Sequence, residues 1–180
     1  MWVPKDFLSE EEWRKFCERA RKETLYWHSL LLFLAFTGCR VSEACKLKWD
    51  DINFDESIAR IWKSKGGRSR WVPLNKEVKE LLKEWRKSNE SVYVWPSKRG
   101  SGHIVPSAVY KKVRKIGEEL GLKIHPHTLR HTFATLLLNK GTQVHVVKEL
   151  LGHSSLGVTG RYLHIASHQL KEAVEKLELE

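Results

Sequence analysis

The 180-residue sequence predicts an α+β domain that is mostly helical and has one small antiparallel sheet. Most of the chain has apolar residues at helical spacing, with capping residues or glycines at the ends of the segments. Residues 52–74 instead contain short runs rich in β-branched and aromatic residues, which are typical of strands. The length suits one domain with its own core.

Three helices are predicted before the sheet. Ser9 and Glu12 form a capping box that begins the first helix. The second helix, residues 25–36, is apolar on nearly every side, which is typical of a helix at the centre of a domain. Ser42 is expected to cap a short third helix over residues 43–47.

The sheet is predicted from short runs separated by turns. The predicted strands are Ile52–Phe54, Ile58–Trp62 and Ser69–Leu74. Residues 55–57 turn the first pair, and residues 65–68 turn the second. Gly66 and Gly67 supply the positive φ that a tight hairpin needs, so the second and third strands should form a hairpin.

Helical spacing returns after Pro73. The predicted elements are a helix containing Val78 and Trp85, an extended segment at 92–95, a helix at 107–120 capped by Ser107, helices at 128–139 and 144–151, a short stretch at 156–163, and an amphipathic helix at 170–177. The predicted fold is therefore a helical domain interrupted once by a sheet.

The composition favours an intracellular protein with a polyanionic partner. Lys and Arg number 32 against 22 Asp and Glu, a net charge of +10, and nucleic acid is the usual partner of a chain with such an excess of positive charge. A basic surface that serves solubility is the alternative. Three cysteines without a Cys-x-x-Cys pair indicate reduced thiols and no metal site. The longest apolar run, residues 30–36, is too short to span a membrane, so we expect a cytoplasmic protein without a membrane partner.

His127 and Arg130 are the first candidates for a functional site. They are three residues apart where a helix is predicted to start, so they project from one face. The N–H groups at a helix N-terminus favour an anion, and phosphate above all. The alternative is a surface histidine and an arginine that pairs within its helix.

Arg40 directly follows the buried second helix, and a guanidinium there needs an anion or a carboxylate. Glu43 is its local ion-pair partner in the simpler interpretation. In the functional interpretation, Arg40 binds phosphate while Glu43 holds its other nitrogens in place.

Lys65 lies at the predicted hairpin tip, where Gly66 and Gly67 would let a cationic loop approach a DNA backbone. A solvated charged hairpin is the alternative. Trp62 and Trp71 flank this tip and are expected to pack across the strands rather than to stack on bases.

His153 and Tyr162 are the last candidates. His153 follows a glycine at a predicted helix end, where an imidazole can face a cleft. Tyr162 comes nine residues later, near Gly157 and Gly160, and is a candidate for a mobile nucleophile. The alternative is a half-buried structural tyrosine.

Four sequence segments together resemble the catalytic domain of the tyrosine recombinases, the phage integrase family, most closely in the Xer-like style. They are Thr37–Glu43 (TGCRVSE), Ser64–Leu74 (SKGGRSRWVPL), His125–Ala134 (HPHTLRHTFA) and Leu150–Ser155 (LLGHSS) leading to Arg161–His164 (RYLH). Their order and spacing match the family over nearly the whole chain. The resemblance implies the integrase catalytic-domain fold.

The resemblance also implies roles in DNA cleavage. Tyr162 would attack a DNA phosphate, form a 3′-phosphotyrosyl bond and free a 5′-hydroxyl. Arg40 and Arg130 would stabilise the charge on the phosphate. Lys65 would protonate the leaving 5′-oxygen, and His127 would assist proton transfer at the tyrosine.

Further roles follow from the same resemblance. His153 would hydrogen-bond the phosphate, and Glu43 would support the site from behind it. No cofactor and no metal would be needed, and copies of the chain would associate on DNA through the helix at 170–177. The expected additional DNA contacts are Lys63, Arg68, Arg70, His131 and Arg161.

The chain begins almost at the family's catalytic boundary. We therefore expect residues 1–180 to be a single catalytic domain without the N-terminal core-binding domain, either as an excised fragment or as a minimal protein. Two alternatives to a recombinase remain: a catalytically inactive DNA-binding module of the same fold, and a relaxing activity like that of type IB topoisomerases.

Overall fold

The computed structural model describes residues 7–63, 68–152 and 170–177, and it has the mixed architecture that the sequence predicts. In chain order the elements are α1 (Glu10–Ala20), α2 (Leu25–Thr37), α3 (Val41–Cys45), a 3₁₀ turn (Trp49–Asp51), β1 (Ile52–Asn53), β2 (Ile58–Trp62), β3 (Ser69–Pro73), α4 (Lys76–Arg86), α5 (Pro106–Glu119), α6 (Pro126–Asn139) and α7 (Val144–Leu151). Residues 170–175 are also helical.

Helix α2 lies at the centre of the domain, as its uniformly apolar sequence predicts. Residues 30–36 are buried on every side, and α1, α4 and α6 pack around the helix. The buried hydroxyl of Ser29 accepts a hydrogen bond of 2.9 Å from the indole N–H of Trp95. Gly38 ends the helix with φ of +68°. A side chain at Gly38 would collide with Phe133, so the glycine also lets α6 approach the end of α2.

The sheet has the predicted hairpin order, β1–β2–β3, with antiparallel pairing throughout. Ala59, Ile61 and Val72 are buried, whereas Trp62 and Trp71 are exposed on the other face. The guanidinium of Arg60 lies 4.3 Å from the ring of Trp62 and 5.5 Å from that of Trp71. The two tryptophans therefore pack through a shared cation rather than against each other.

Two helices begin earlier than predicted, and both begin at a proline. Helix α5 starts at Pro106, with Val105 as its N-cap, so Ser107 is not the cap. Helix α6 starts at Pro126 rather than at Thr128. Proline suits the first helical position because its φ is already helical and the missing N–H has no partner there.

The start of α3 also differs from the prediction. Its N-cap is Arg40, not Ser42, and the helix begins at Val41. The carboxylate of Glu43 accepts the backbone N–H of Arg40 at 2.9 Å. The Arg40–Glu43 contact therefore stabilises the helix N-terminus through the backbone of Arg40.

The helix near the C-terminus packs against the chain's own core. Ala173, Val174 and Leu177 are buried there. Lys171 lies 3.9 Å from the carboxylate of Glu56. In the single chain, the apolar face of this helix is therefore buried against its own domain.

The three cysteines are buried free thiols. Burial raises the pKa of Cys45 to about 12 and also raises the pKa of Cys17 and of Cys39. The thiols therefore remain protonated and pack as small apolar groups. Across the described residues, every helix is too short or too polar to span a bilayer.

Candidate active site

Three of the predicted site residues meet in one cleft of about 180 Å³. Arg40 comes from the start of α3, and His127 and Arg130 come from the first turns of α6. The other residues that line the cleft are Cys39, Val41, Ser42, Tyr110 and Pro126. The structure therefore brings together two arginines and a histidine that lie far apart in the sequence.

Arg130 is held rigidly beneath the cleft and is only 5% exposed. Its Nη1 donates to the carbonyl oxygen of Gly38 at 2.8 Å, and its Nη2 donates to the carbonyl oxygen of Leu151 at 2.9 Å. These acceptors lie at the C-terminal ends of α2 and α7, where helix dipoles place partial negative charge. Two helix ends thus fix the orientation of the guanidinium.

Burial and the nearby positive charges of Arg40 and Arg70 lower the pKa of Arg130 to about 10. The guanidinium therefore remains charged at neutral pH, but the surroundings destabilise its positive charge. An anion in the cleft would relieve that repulsion. Arg40 itself is exposed at the mouth of the cleft. The site thus combines one buried, fixed cation with one accessible cation.

Glu43 has a different partner from the one that the sequence suggested. Its carboxylate is buried and forms a bidentate ion pair with Arg70, with Nη1–Oε2 at 2.6 Å and Nη2–Oε1 at 3.0 Å. Burial opposes ionisation of Glu43, but the hydrogen bonds and charge of Arg70, together with the N–H of Arg40, hold its pKa below the usual value. The expected side-chain ion pair with Arg40 is therefore replaced by the pair with Arg70.

Arg70 is placed inside the protein rather than at the DNA-facing position expected for it. Its side chain is 11% exposed, and its Nε donates to the carbonyl oxygen of Leu150 at 2.9 Å. In the hairpin it pairs with Ile61, on the buried face. The alternation of β3 could have revealed this, because Arg70 precedes the exposed Trp71. Arg70 therefore links Glu43 to the end of α7.

A row of aromatic rings borders the cleft. His125 stacks between Tyr110 and His127, with ring centroids 6.2 Å apart on each side and interplanar angles of 17° and 18°. His131, one turn further along α6, meets the ring of His127 edge-on at 4.7 Å. Sequence reasoning did not select Tyr110 or His125, because they become neighbours only when α5 packs beside α6.

The pKa of His127 is lowered. Partial burial is the largest cause, followed by electrostatic interactions with His131, Arg130, His125 and Arg40. The imidazole is therefore mostly neutral near pH 7 and is able to accept a proton. A proton acceptor thus lies beside two cations.

Four predicted site residues, Lys65, His153, Arg161 and Tyr162, lie outside the described residues. The hairpin is described up to Lys63 and again from Arg68, where the N–H of Lys63 donates to the carbonyl of Arg68 at 2.9 Å. Helix α7 is described to its cap, Gly152, which has φ of +79°. The described residues contain no group of three or more His, Cys, Asp or Glu side chains arranged to hold a metal ion.

The described cleft suits a phosphate diester. Fixed guanidinium groups stabilise charge that develops on phosphate oxygens, and they do so best where water is partly excluded. The neutral imidazole of His127 can take up or share a proton at the same place. The arrangement therefore supports phosphoryl-transfer chemistry.

Comparison with known proteins agrees with this chemistry. Residues 6–169 match the model of the phage integrase family. The chain is 35% identical over 181 residues to the tyrosine recombinase XerA of Pyrococcus furiosus, which covers 98% of the chain and 63% of that protein. It is 42% identical over 178 residues to a tyrosine recombinase of Pseudothermotoga lettingae, which covers 96% of the chain and 60% of the relative.

A solved structure is also similar over nearly the whole chain. The XerH site-specific recombinase, bound to its difH substrate in a pre-cleavage complex, superposes with a TM-score of 0.73 at 32% identity and covers 98% of this chain and 54% of that one. The chain therefore spans 60–63% of the length of the two curated relatives and about half of the solved recombinase chain.

Proposed function

Because the chain belongs to the phage integrase family, we propose that it is the catalytic part of a site-specific tyrosine recombinase that cleaves and rejoins DNA strands. The observation that supports this most directly is the cleft in which Arg40, His127 and Arg130 meet. These residues occupy the motif positions that carry the family resemblance. Two guanidinium groups beside an imidazole can bind the oxygens of a phosphate.

In the proposed reaction, the hydroxyl of Tyr162 attacks a DNA phosphate. The bond between the tyrosine oxygen and phosphorus forms as the bond to the 5′-oxygen breaks. Lys65 gives a proton to that oxygen, and His127 assists removal of the tyrosine proton. Arg40 and Arg130 stabilise the charge on the pentavalent phosphate. The resulting 3′-phosphotyrosine retains the energy of the broken bond, so a free 5′-hydroxyl can reverse the step without ATP.

Supporting residues complete the proposed site. His153 hydrogen-bonds the phosphate. It directly follows the end of α7, where Arg70 and Arg130 hold the last carbonyl groups. We propose that Glu43 supports the site through Arg70. By holding the end of α7, these contacts would fix the point from which the chain continues to His153.

Double-stranded DNA is the proposed substrate and partner. The net charge of +10 favours it, and the similar XerH recombinase was solved with a DNA substrate. Lys63, Arg68, His131 and Arg161 are the proposed additional DNA contacts, whereas Arg70 acts from inside the protein.

We also propose that copies of the chain associate on DNA through the helix at 170–177. In the single chain, Ala173, Val174 and Leu177 are buried in the chain's own core. Association by this route requires the helix to leave that position and bury the same face on a neighbour. Crosslinking on DNA should detect the association, and deletion of residues 170–177 should abolish it.

A nicked suicide duplex tests the cleavage activity. The cleaved strand is labelled at its 5′ end, and duplexes of varied sequence, including difH, are incubated with the protein in EDTA. We expect a labelled covalent adduct that is lost in Tyr162→Phe and retained in the control Tyr93→Phe.

Each other outcome would replace part of the proposal. An adduct that needs magnesium would contradict the metal-free reaction. No adduct on any duplex, with DNA binding retained, would favour an inactive DNA-binding module. Relaxation of supercoiled DNA without site preference would favour an activity like that of type IB topoisomerases.

A further inference from the structure

We propose that Tyr110 is a positioning residue, whose ring packs against the deoxyribose next to the phosphate that Arg40 and Arg130 bind. This inference rests on the proposed function and extends it to a residue outside the family motifs. Three observations support it: the place of Tyr110 in the cleft, the stacking that orients its ring, and the size of the cleft.

Tyr110 lines the same cleft as Arg40, His127 and Arg130. It is on α5, whose buried residues are Val109, Val113, Ile116 and Gly117. The side chain is 43% exposed, so the core of the domain does not account for a large aromatic residue at this position. Among the described residues that line the cleft, it supplies the largest flat apolar surface.

The ring of Tyr110 has a defined orientation before any ligand binds. It is nearly parallel to the ring of His125, at 17° and 6.2 Å between centroids, and His125 is nearly parallel to His127. The row thus joins Tyr110 on α5 to the proposed proton acceptor on α6. A group that is ordered in advance loses little conformational freedom on binding, so its contacts position a ligand efficiently.

The size of the cleft indicates what Tyr110 meets. The cleft is about 180 Å³. A cavity holds one water in about 10–15 Å³ of such space, so the cleft has room for the four oxygens of a phosphate and for part of the adjoining sugar. The arginines and His127 serve the charged oxygens, and the ring of Tyr110 offers the apolar surface that the deoxyribose matches.

The test separates positioning from general DNA affinity. Adduct formation is measured in a single turnover with saturating protein on the suicide duplex, and DNA affinity is measured separately. We expect Tyr110→Ala and Tyr110→Leu to slow adduct formation by about tenfold, because the phosphate is less well placed. DNA affinity should change by less than about twofold, since it depends mainly on charge.

Further variants identify the responsible group. Tyr110→Phe should restore the wild-type rate, because it keeps the ring. His125→Ala should give a smaller loss, of about threefold, because it removes the neighbour that orients the ring. Leu138→Ala is the matched control: it truncates an exposed apolar side chain on α6 that is 42% exposed and does not line the cleft, and it should leave the rate unchanged.

Three results would overturn the inference while leaving the proposed function intact. They are an unchanged rate in Tyr110→Ala and Tyr110→Leu, an equal loss in Tyr110→Phe, and a fall in DNA affinity as large as the fall in rate. Absence of any Tyr162-dependent adduct in the wild-type protein would instead overturn the proposed function, and this inference with it.

Discussion

We predict that Arg70→Met destabilises the domain more than the double variant in which Glu43→Gln is added. The Glu43 side chain is 2% exposed and that of Arg70 is 11% exposed, so Arg70→Met leaves a carboxylate buried without its counter-charge. Loss of one member of a buried ion pair costs about 3–5 kcal/mol of unfolding free energy. The carbonyl of Leu150 also loses a donor.

Adding Glu43→Gln should recover part of this loss. The double variant lacks both charges of the pair, and the amide oxygen of glutamine can still accept the N–H of Arg40. The remaining cost is mainly the carbonyl of Leu150 without its donor, about 1–3 kcal/mol. The second substitution should therefore raise the unfolding free energy of Arg70→Met by about 2 kcal/mol.

The pH dependence gives an independent check. In the wild type the folded pKa of Glu43 is lowered, so its contribution to stability is complete above the unfolded value of about 4.3 and is lost as pH falls through the folded pKa. In Arg70→Met, burial without a partner raises the pKa of Glu43. The deficit of this variant relative to the wild type should therefore shrink on acidification.

Urea unfolding followed by circular dichroism, at pH 7.5 and pH 5, measures both effects. Lys15→Met is the control, because the Lys15–Glu11 pair at 3.4 Å is exposed on both sides and should contribute less than about 1 kcal/mol. The importance of the buried pair would be refuted if Arg70→Met lowered the unfolding free energy no more than Lys15→Met does. It would also be refuted if the loss in the double variant equalled the sum of the losses from its two substitutions. An equal deficit at both pH values would refute its electrostatic origin.

Three further predictions concern the glycine turn, the histidine and the charge. Gly38→Ala should lower the unfolding free energy by about 1–3 kcal/mol more than Gly121→Ala in thermal unfolding. Both glycines have positive φ, but only at Gly38 would a Cβ come within 2.4 Å of Phe133, so equal losses would exclude the steric cause. Adduct formation should fall as pH drops through the pKa of His127, with a midpoint below its ordinary value of about 6.5. His131→Ala should raise that midpoint, because it removes an electrostatic interaction that lowers the pKa of His127. DNA affinity should fall at least tenfold between 50 and 200 mM salt, and a nearly constant affinity would contradict binding through the net charge of +10.

The elements that could be predicted from the sequence are those with a local cause. Helix α2 is recognisable because every side is apolar, and the β2–β3 hairpin because β-branched and aromatic runs flank a glycine turn. Helix starts were predicted less accurately, because several residues near each start are compatible with the first turn: α5 begins at Pro106 rather than after Ser107, and α3 at Val41 rather than after Ser42. The packing of the whole helix selects among them.

The candidate site divides in the same way. The motif around His127 and Arg130 indicated a helix start that favours phosphate, and the structure places both residues at the cleft with Arg40. The sequence could not show that Glu43 pairs with Arg70, because that contact joins residues 27 positions apart through the pairing of β3 with the rest of the sheet. Spacing along the chain favoured the nearer cation, Arg40.

Residue types and their local spacing thus determined the fold class, the order of the elements and the choice of Arg40, His127 and Arg130. The tertiary structure alone decided which cation is buried and which is accessible. Arg130 is fixed because the carbonyl oxygens of Gly38 and Leu151, 92 and 21 residues away, converge on it. Only packing of the ends of α2 and α7 against α6 brings those acceptors together, because hydrogen bonds reach about 3 Å.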